Sequence, residues 1–198
     1  MSPPTLFDDG TPEGAGLACV RYVAGWLAEH ERVLDELAAG IRWQQPIVTV
    51  FGRQHVTPRL TAWFGNGAYS YSGITHPPAA FPAALADIRD RVARESGVPF
   101  TSCLANLYRD GSDSMGAHAD NEPELGDAPV IASVSLGDRR RFVMADIHTS
   151  ARFEWMLGGG DLLVMSGDSQ SRYRHSVPKT ARPIGPRLNL TFRTFLPT

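Results

Sequence analysis

The stretch Arg187-Leu188-Asn189-Leu190-Thr191-Phe192-Arg193 decides the fold. Apolar and polar residues alternate strictly along it, which predicts a β-strand with one apolar and one polar face. Such a strand can place its apolar face on a core and its polar face in solvent. The polar face also suits a cavity that binds a dicarboxylate, because a guanidinium group can pair with a carboxylate through two parallel hydrogen bonds.

A second stretch, residues 101–108, has a related pattern. It reads Thr-Ser-Cys-Leu-Ala-Asn-Leu-Tyr and places Asn106 and Tyr108 on one face of a predicted strand. Two strands that each carry such polar groups predict a shared polar cavity.

Three candidate metal ligands lie between these two strands in the sequence. His118 and Asp120 are two positions apart, so in extended backbone their side chains point to the same side. His175 follows, shortly before the strand that begins at Arg187. Two imidazoles and one carboxylate form the facial triad that holds non-haem Fe(II). A His-x-Asp pair also arises by chance, but its combination with two polar strands is more specific than either part.

The rest of the chain predicts two helices followed by many short strands. A strand is expected over residues 17–23, and a helix over 28–39 that stops at Gly40. A second helix is expected over 81–96, with Pro82 in its first turn and Gly97 after its end. Beyond the strand at 101–108, strands are expected over 130–136, 140–144, 152–157, 161–165, 173–177 and 187–195. We therefore predict an α+β, mainly β fold: a double-stranded β-helix (jelly roll) core backed by about two helices.

Length and composition predict one domain over residues 17–198, preceded by a flexible tail over 1–16 that is rich in Pro, Gly and Asp. Cys19 and Cys103 are too few for a disulfide framework, so we expect reduced, buried thiols. The sequence has no run of eighteen apolar residues and no secretory signal. We therefore expect a cytoplasmic protein without a membrane partner, and a monomer.

The distribution of charge favours a polyanionic partner more than the total charge does. The net charge is −2 and the isoelectric point about 6.3, whereas a nucleic-acid-binding domain usually lies above about 9. Residues 139–198, however, carry ten Lys or Arg and four Asp or Glu. This region begins with Arg139-Arg140-Arg141, which either contacts phosphates or forms solvated surface.

Taken in order, these motifs resemble the AlkB-type 2-oxoglutarate/Fe(II) dioxygenases, which oxidatively dealkylate damaged nucleic-acid bases. The resemblance runs from about Ile47 to Phe195, and the Arg-x-Asn-x-Thr-x-Arg ending is particular to this family. Three further segments are most similar to the subfamily that acts on duplex DNA, namely Val50-Phe51-Gly52, residues 69–73 and residues 131–137.

The resemblance implies a ligand for each polar group of the cavity. Fe(II) would bind the three metal ligands, with 2-oxoglutarate and O₂ as cosubstrates. Arg187 would anchor the distal carboxylate of 2-oxoglutarate with help from Tyr108. Asn106 and Arg193 would lie near the chelating end, and Asn189 would line the same cavity.

The resemblance also implies that a damaged base is flipped out of the duplex into the site. Tyr71 would stack on the base opposite His118, and Tyr69 would offer its phenol to the same pocket. Glu122 would contact the exocyclic amine of the base, if the strand continues past Asp120. The alternatives are ordinary sheet tyrosines and an exposed loop carboxylate.

The implied partner is alkylated DNA, double-stranded because Phe51 resembles a finger that fills the space left by the flipped base. Arg53, His55 and Arg59 would contact phosphates or be solvated. The expected reaction repairs 1-methyladenine and 3-methylcytosine and releases formaldehyde, succinate and CO₂. Arg174 departs from the tyrosine of duplex-acting relatives, which leaves strand preference and substrate range open. The alternative substrates are single-stranded DNA, methylated RNA and a protein side chain. A different alternative is a non-catalytic damage-binding module.

Overall fold

The structure, a computed structural model, describes residues 17–50, 52–65, 69–71 and 74–196. The helices are α1 (His30–Gly40), α2 (Ala83–Ser96) and α3 (Ser169–Arg172). The strands are β1 (Val20–Val23), β2 (Ile47–Val50), β3 (Arg53–Val56), β4 (Leu60–Gly65), β5 (Tyr69–Tyr71), β6 (Ile74–His76), β7 (Ser102–Tyr108), β8 (Met115–His118), β9 (Ile131–Gly137), β10 (Arg140–Asp146), β11 (Arg152–Leu157), β12 (Asp161–Met165), β13 (Tyr173–Val177) and β14 (Arg187–Arg193).

Two antiparallel sheets form the core of the fold. The larger sheet has the strand order β1-β12-β9-β14-β7-β4, and the smaller one has the order β11-β10-β13-β8. A hydrophobic cluster joins them, with Ile131 and Leu163 from the larger sheet and Phe142 and Trp155 from the smaller. The predicted double-stranded β-helix is confirmed.

Strand β14 lies inside the larger sheet, between β7 and β9. Its apolar residues pack in one cluster with Leu85, Ile88 and Val92 of α2. All seven residues of β14 are buried, including the two arginines. The alternative of a solvent-facing polar face is therefore wrong, because the smaller sheet covers that face.

Several element boundaries differ from the sequence prediction. Helix α1 includes Gly40 and ends against the extended Ile41, so Gly40 is not the stop residue. Helix α2 begins after Pro82, whose ψ of 152° lies outside the helical region, rather than at residue 81. Gly97 ends that helix in the left-handed conformation, as predicted, with φ of 72°. The first strand covers only Val20–Val23, and β4 and the four-residue α3 were not predicted.

The two cysteines are buried and free, as predicted. Burial raises the pKa of both thiols, that of Cys19 to about 11, so both stay protonated near neutral pH. Within the described ranges, no helix has the length and apolar character to cross a membrane. Residues 1–16 lie outside the described residues, so the tail stays a prediction, as does a single domain over 17–198.

Candidate metal and cosubstrate site

The structure brings the three predicted metal ligands together. Strands β8 and β13 pair so that His118 lies opposite His175, with ring centroids 4.2 Å apart. Asp120 follows the end of β8 rather than lying within the strand. One ligand atom from each of the three residues lies within 4.8 Å of the other two. This spacing allows all three to bind one ion.

The protonation states of these residues fit a divalent metal. Burial lowers the pKa of both imidazoles, that of His175 to about 3, which leaves them neutral and able to donate lone pairs. The Nδ1 atom of His118 lies 2.9 Å from the Gly116 carbonyl oxygen, a contact that leaves Nε2 for a metal. Within the described chain, His175 Nδ1 and Asp120 Oδ2 are buried without a hydrogen-bond partner. These three ligands therefore fit Fe(II).

Arg193 lies against the carboxylate ligand, near the expected chelating end. Its Nη2 donates to Asp120 Oδ1 over 2.6 Å, and both side chains are almost fully buried. Burial alone raises the pKa of Asp120, but the charge of Arg193, joined at low pH by the histidines in their protonated form, outweighs it and brings the pKa to about 2. Asp120 is therefore ionised near neutral pH. Its Oδ1 accepts from Arg193, and its Oδ2, which has no partner among the described residues, is left for a metal.

Arg187 is a buried cation whose hydrogen-bond partners in the described chain are neutral. Its Nη2 donates to Ser135 Oγ over 2.8 Å, and its Nε donates to the Leu157 carbonyl over 3.2 Å. The Tyr108 ring centroid lies 5.2 Å from its guanidinium carbon. Nη1 is buried and has no partner among the described residues. A carboxylate placed there would satisfy this donor and neutralise the charge, as expected for the distal end of 2-oxoglutarate.

The two asparagines of the predicted cavity face each other across paired strands. Asn189 of β14 lies opposite Asn106 of β7. Asn189 donates to Ser133 Oγ over 2.7 Å and accepts from Thr191 Oγ1 over 2.9 Å. Both asparagines line one cavity with the metal ligands, Tyr108, Arg187 and Arg193. The polar strand faces thus form a single site.

Arg59 belongs to this buried site rather than to the surface. It is only 7% exposed, and its Nε donates to Asn106 Oδ1 over 2.8 Å. The prediction of a solvated side chain or a phosphate contact at Arg59 does not agree with this position. The residue follows the β2–β3 hairpin, and only the fold shows that its side chain turns inward.

The basic run at residues 139–141 is mostly structural. Arg140 is 2% exposed, and Arg139 forms an ion pair of 2.9 Å with the buried Asp161. Arg140 donates to three backbone carbonyls, those of Asp110, Asp113 and Pro178. The interpretation of this run as a phosphate contact is wrong for Arg140, because its donors join loops inside the protein.

The predicted base-contacting residues are only partly described. Glu122 is half-buried and precedes a 3-10 turn, so the strand expected to carry it past Asp120 is absent. The side chains of Tyr69 and Tyr71 lie outside the described part of the structure, as does the whole of Phe51. The roles of these four residues stay predictions.

Three residues of the site were not predicted. Ser133 and Ser135 of β9 hold the side chains of Asn189 and Arg187, and their alternation within residues 131–137 is a signal that could have identified them. Gln170 accepts a hydrogen bond from the Asp120 backbone N–H over 2.9 Å. No local pattern in the sequence marks Gln170.

Comparisons with known proteins identify the family of the chain. Residues 20–193 match the family model of the 2OG-Fe(II) oxygenase superfamily. The chain is 36% identical over 197 residues to the human "Alpha-ketoglutarate-dependent dioxygenase alkB homolog 3", a match that covers 94% of this chain and 69% of that protein. It is 35% identical over 198 residues to the mouse "DNA oxidative demethylase ALKBH2", covering 92% of this chain and 82% of that protein.

A solved structure shows the same fold. The structure of OsALKBH1 superposes with a TM-score of 0.62 at 21% identity and covers 89% of this chain and 98% of that one. With its metal triad and an Arg187 donor that has no partner in the described part of the chain, the protein belongs to the 2OG-Fe(II) oxygenase superfamily and is a 2-oxoglutarate- and Fe(II)-dependent dioxygenase.

Proposed function

We propose that this dioxygenase removes small N-alkyl groups from DNA bases, with 1-methyladenine and 3-methylcytosine as substrates. The observation that carries the proposal is the cavity that His118, Asp120 and His175 line together with Arg187, whose Nη1 has no partner among the residues that the structure describes. Relatives that share more than a third of the sequence are named as DNA oxidative demethylases, which supports DNA as the substrate class.

Each polar residue of the cavity has a task in this reaction. When bound, Fe(II) and 2-oxoglutarate supply the oxidation of the N-methyl carbon by O₂, which yields succinate and CO₂ and releases the methyl group as formaldehyde. His118, Asp120 and His175 would hold the metal. Arg187, beside the Tyr108 ring, binds the distal carboxylate, so the cosubstrate enters in one orientation.

The damaged base must leave the helical stack to reach this cavity. We assign Tyr71 to stacking on the flipped base and Tyr69 to a hydrogen bond with it. We assign the half-buried carboxylate of Glu122, just before the 3-10 turn that follows the ligand Asp120, to a base made cationic by N-methylation. The attraction between the two charges would favour methylated over unmodified bases.

The β2–β3 hairpin supports duplex DNA as the partner. Ile47 and Val56 pair at its base and are 55% and 58% exposed, which is unusual for a hairpin that belongs to a core. Residues 52–56 are all exposed, so Arg53 and His55 are free to approach phosphates. An apolar Phe51 near the end of such a hairpin suits a wedge that opens a base step.

The substrate assignment is tested with oligonucleotides that carry a single 1-methyladenine or 3-methylcytosine, as single-stranded DNA, duplex DNA and RNA. The iron-loaded protein is incubated with 2-oxoglutarate, and products are identified by mass. We expect demethylation of DNA, fastest in the duplex, with one succinate formed for each methyl group lost. If only the RNA oligonucleotides are demethylated, the substrate is RNA and not DNA. Absence of succinate with every oligonucleotide would instead support a binding module.

A further inference from the structure

The metal ligand Asp120 lies beyond the end of β8, where strand pairing no longer supplies hydrogen bonds to the backbone. Pairing between β8 and β13 reaches the His118–His175 pair, and β8 ends at His118. The backbone N–H of Asp120 instead donates to Gln170 Oε1 over 2.9 Å. A side chain from a distant part of the sequence thus takes the place of the missing strand partner.

The surroundings of Gln170 direct its Oε1 atom toward the Asp120 backbone. It is 1% exposed, and its amide nitrogen lies 3.2 Å from Ser169 Oγ and 3.6 Å from Met165 Sδ. Since a backbone N–H needs an acceptor, Oε1 and not Nε2 must face Asp120. The contacts of Nε2 with Ser169 and Met165 therefore fix the amide in the orientation that Asp120 requires.

The hydrogen bond joins the two segments that carry the metal ligands. Gln170 lies in α3, which leads directly into β13 and His175. Asp120 belongs to the segment of His118, so the contact fixes the spacing between the two segments. Asp120 is then held at its backbone by Gln170 and at its Oδ1 by Arg193.

We propose that Gln170 is a positioning residue for the metal, which acts through the backbone of Asp120 and touches neither metal nor substrate. Residues that orient metal ligands in this way are worth about 10–100-fold in metal affinity in other metalloproteins. The inference concerns the metal site alone and does not depend on the proposed DNA substrate.

The test measures Co(II) binding to the metal-free protein, by the absorption of the bound ion and by calorimetry. Gln170→Met keeps the size of the side chain and removes the acceptor, while Gln170→Asn keeps the amide but is too short to reach Asp120. We expect both variants to bind Co(II) about 10–100-fold more weakly than the wild type. The matched control Ser171→Ala changes an exposed side chain of the same helix, which donates to the Asp168 carbonyl, and leaves Gln170 and its partners in place, so its Co(II) affinity should stay near that of the wild type.

Thermal unfolding of the metal-free variants separates positioning from general stability. A lower melting temperature with unchanged Co(II) affinity in Gln170→Met would overturn the proposal, since Gln170 would then only support the fold. An equal loss of affinity in Ser171→Ala would overturn it too. If Gln170→Met does not fold, the Co(II) affinity of Gln170→Asn decides by the same criterion.

Discussion

The polar cavity between the sheets and the β2–β3 hairpin differ in how they are held. Strands β7 and β14, which supply much of the cavity, are buried along their whole length, and each pairs with a strand on both sides. Among the described residues, β2 and β3 pair only with each other, and residues 52–56 are exposed. The residues expected to bind 2-oxoglutarate therefore lie on buried strands that are paired on both sides, while the proposed selection of duplex DNA lies on an exposed hairpin. Changes in the cavity should affect every substrate equally, and changes in the hairpin should affect only the preference among substrates.

The largest effect is expected from the metal ligands. His118→Ala, Asp120→Ala and His175→Ala should each reduce turnover to background on single-stranded and duplex DNA alike, because two ligands neither hold the iron nor fix its geometry. Bound iron and released formaldehyde are measured on the purified variants, with circular dichroism to check the fold. Normal turnover in any variant would remove that residue from the site.

Arg187→Lys should be the next most damaging change. It keeps a positive charge but loses hydrogen bonds to a charged partner worth about 1.5–3 kcal/mol, so the half-saturating concentration of 2-oxoglutarate should rise about 10–100-fold. The ratio of duplex to single-stranded activity should not change. Arg139→Lys is the matched control, because Arg139 pairs with Asp161 outside the cavity. An unchanged half-saturation in Arg187→Lys would show that Arg187 does not anchor 2-oxoglutarate.

Phe51→Ala should lower duplex activity about tenfold relative to single-stranded activity, because only a duplex has a stack to open and a vacancy to fill. The dependence of the rate on 2-oxoglutarate should stay as in the wild type. Both rates and the melting temperature are measured on one preparation. If Phe51 is a core residue instead, both activities and the melting temperature will fall together.

Arg59→Lys should produce the smallest effect. It should weaken 2-oxoglutarate binding in the cavity and leave the preference for duplex DNA unchanged. Loss of the Nε hydrogen bond to Asn106 should raise the half-saturating concentration of 2-oxoglutarate about threefold to tenfold on both kinds of DNA. The salt dependence of DNA binding should not change, whereas it should decrease in Arg53→Ala, where the side chain is exposed. A reduced salt dependence of DNA binding in Arg59→Lys would show that Arg59 does contact a phosphate.

The sequence allowed much of this cavity to be predicted because its signals are local. Alternation along residues 187–193 is visible in one strand, and His118 and Asp120 are two positions apart. Strand β4 shows no such alternation, because five of its six residues are buried, and it was missed. That the polar face of β14 lies inside the protein depends on a second sheet, which a single strand cannot reveal.

The roles of Arg59 and Gln170 depend on contacts between distant parts of the chain. Arg59 meets Asn106 only because β4 and β7 are neighbours in the larger sheet, and Gln170 meets Asp120 only because β8 and β13 pair. The predictions of two helix ends were wrong for a local reason. Gly40 and Pro82 are both compatible with more than one position at a helix end, so their presence did not fix the boundary.

The separation of chemistry from duplex selection is tested most directly by one set of rates. Wild type, Arg187→Lys and Phe51→Ala are assayed on the same 3-methylcytosine oligonucleotide, single-stranded and duplex, over a series of 2-oxoglutarate concentrations. We predict that Arg187→Lys changes only the half-saturation for 2-oxoglutarate and that Phe51→Ala changes only the ratio of duplex to single-stranded rate. The contradicting result would be a change of both quantities in either variant, because the cavity and the hairpin would then not act separately.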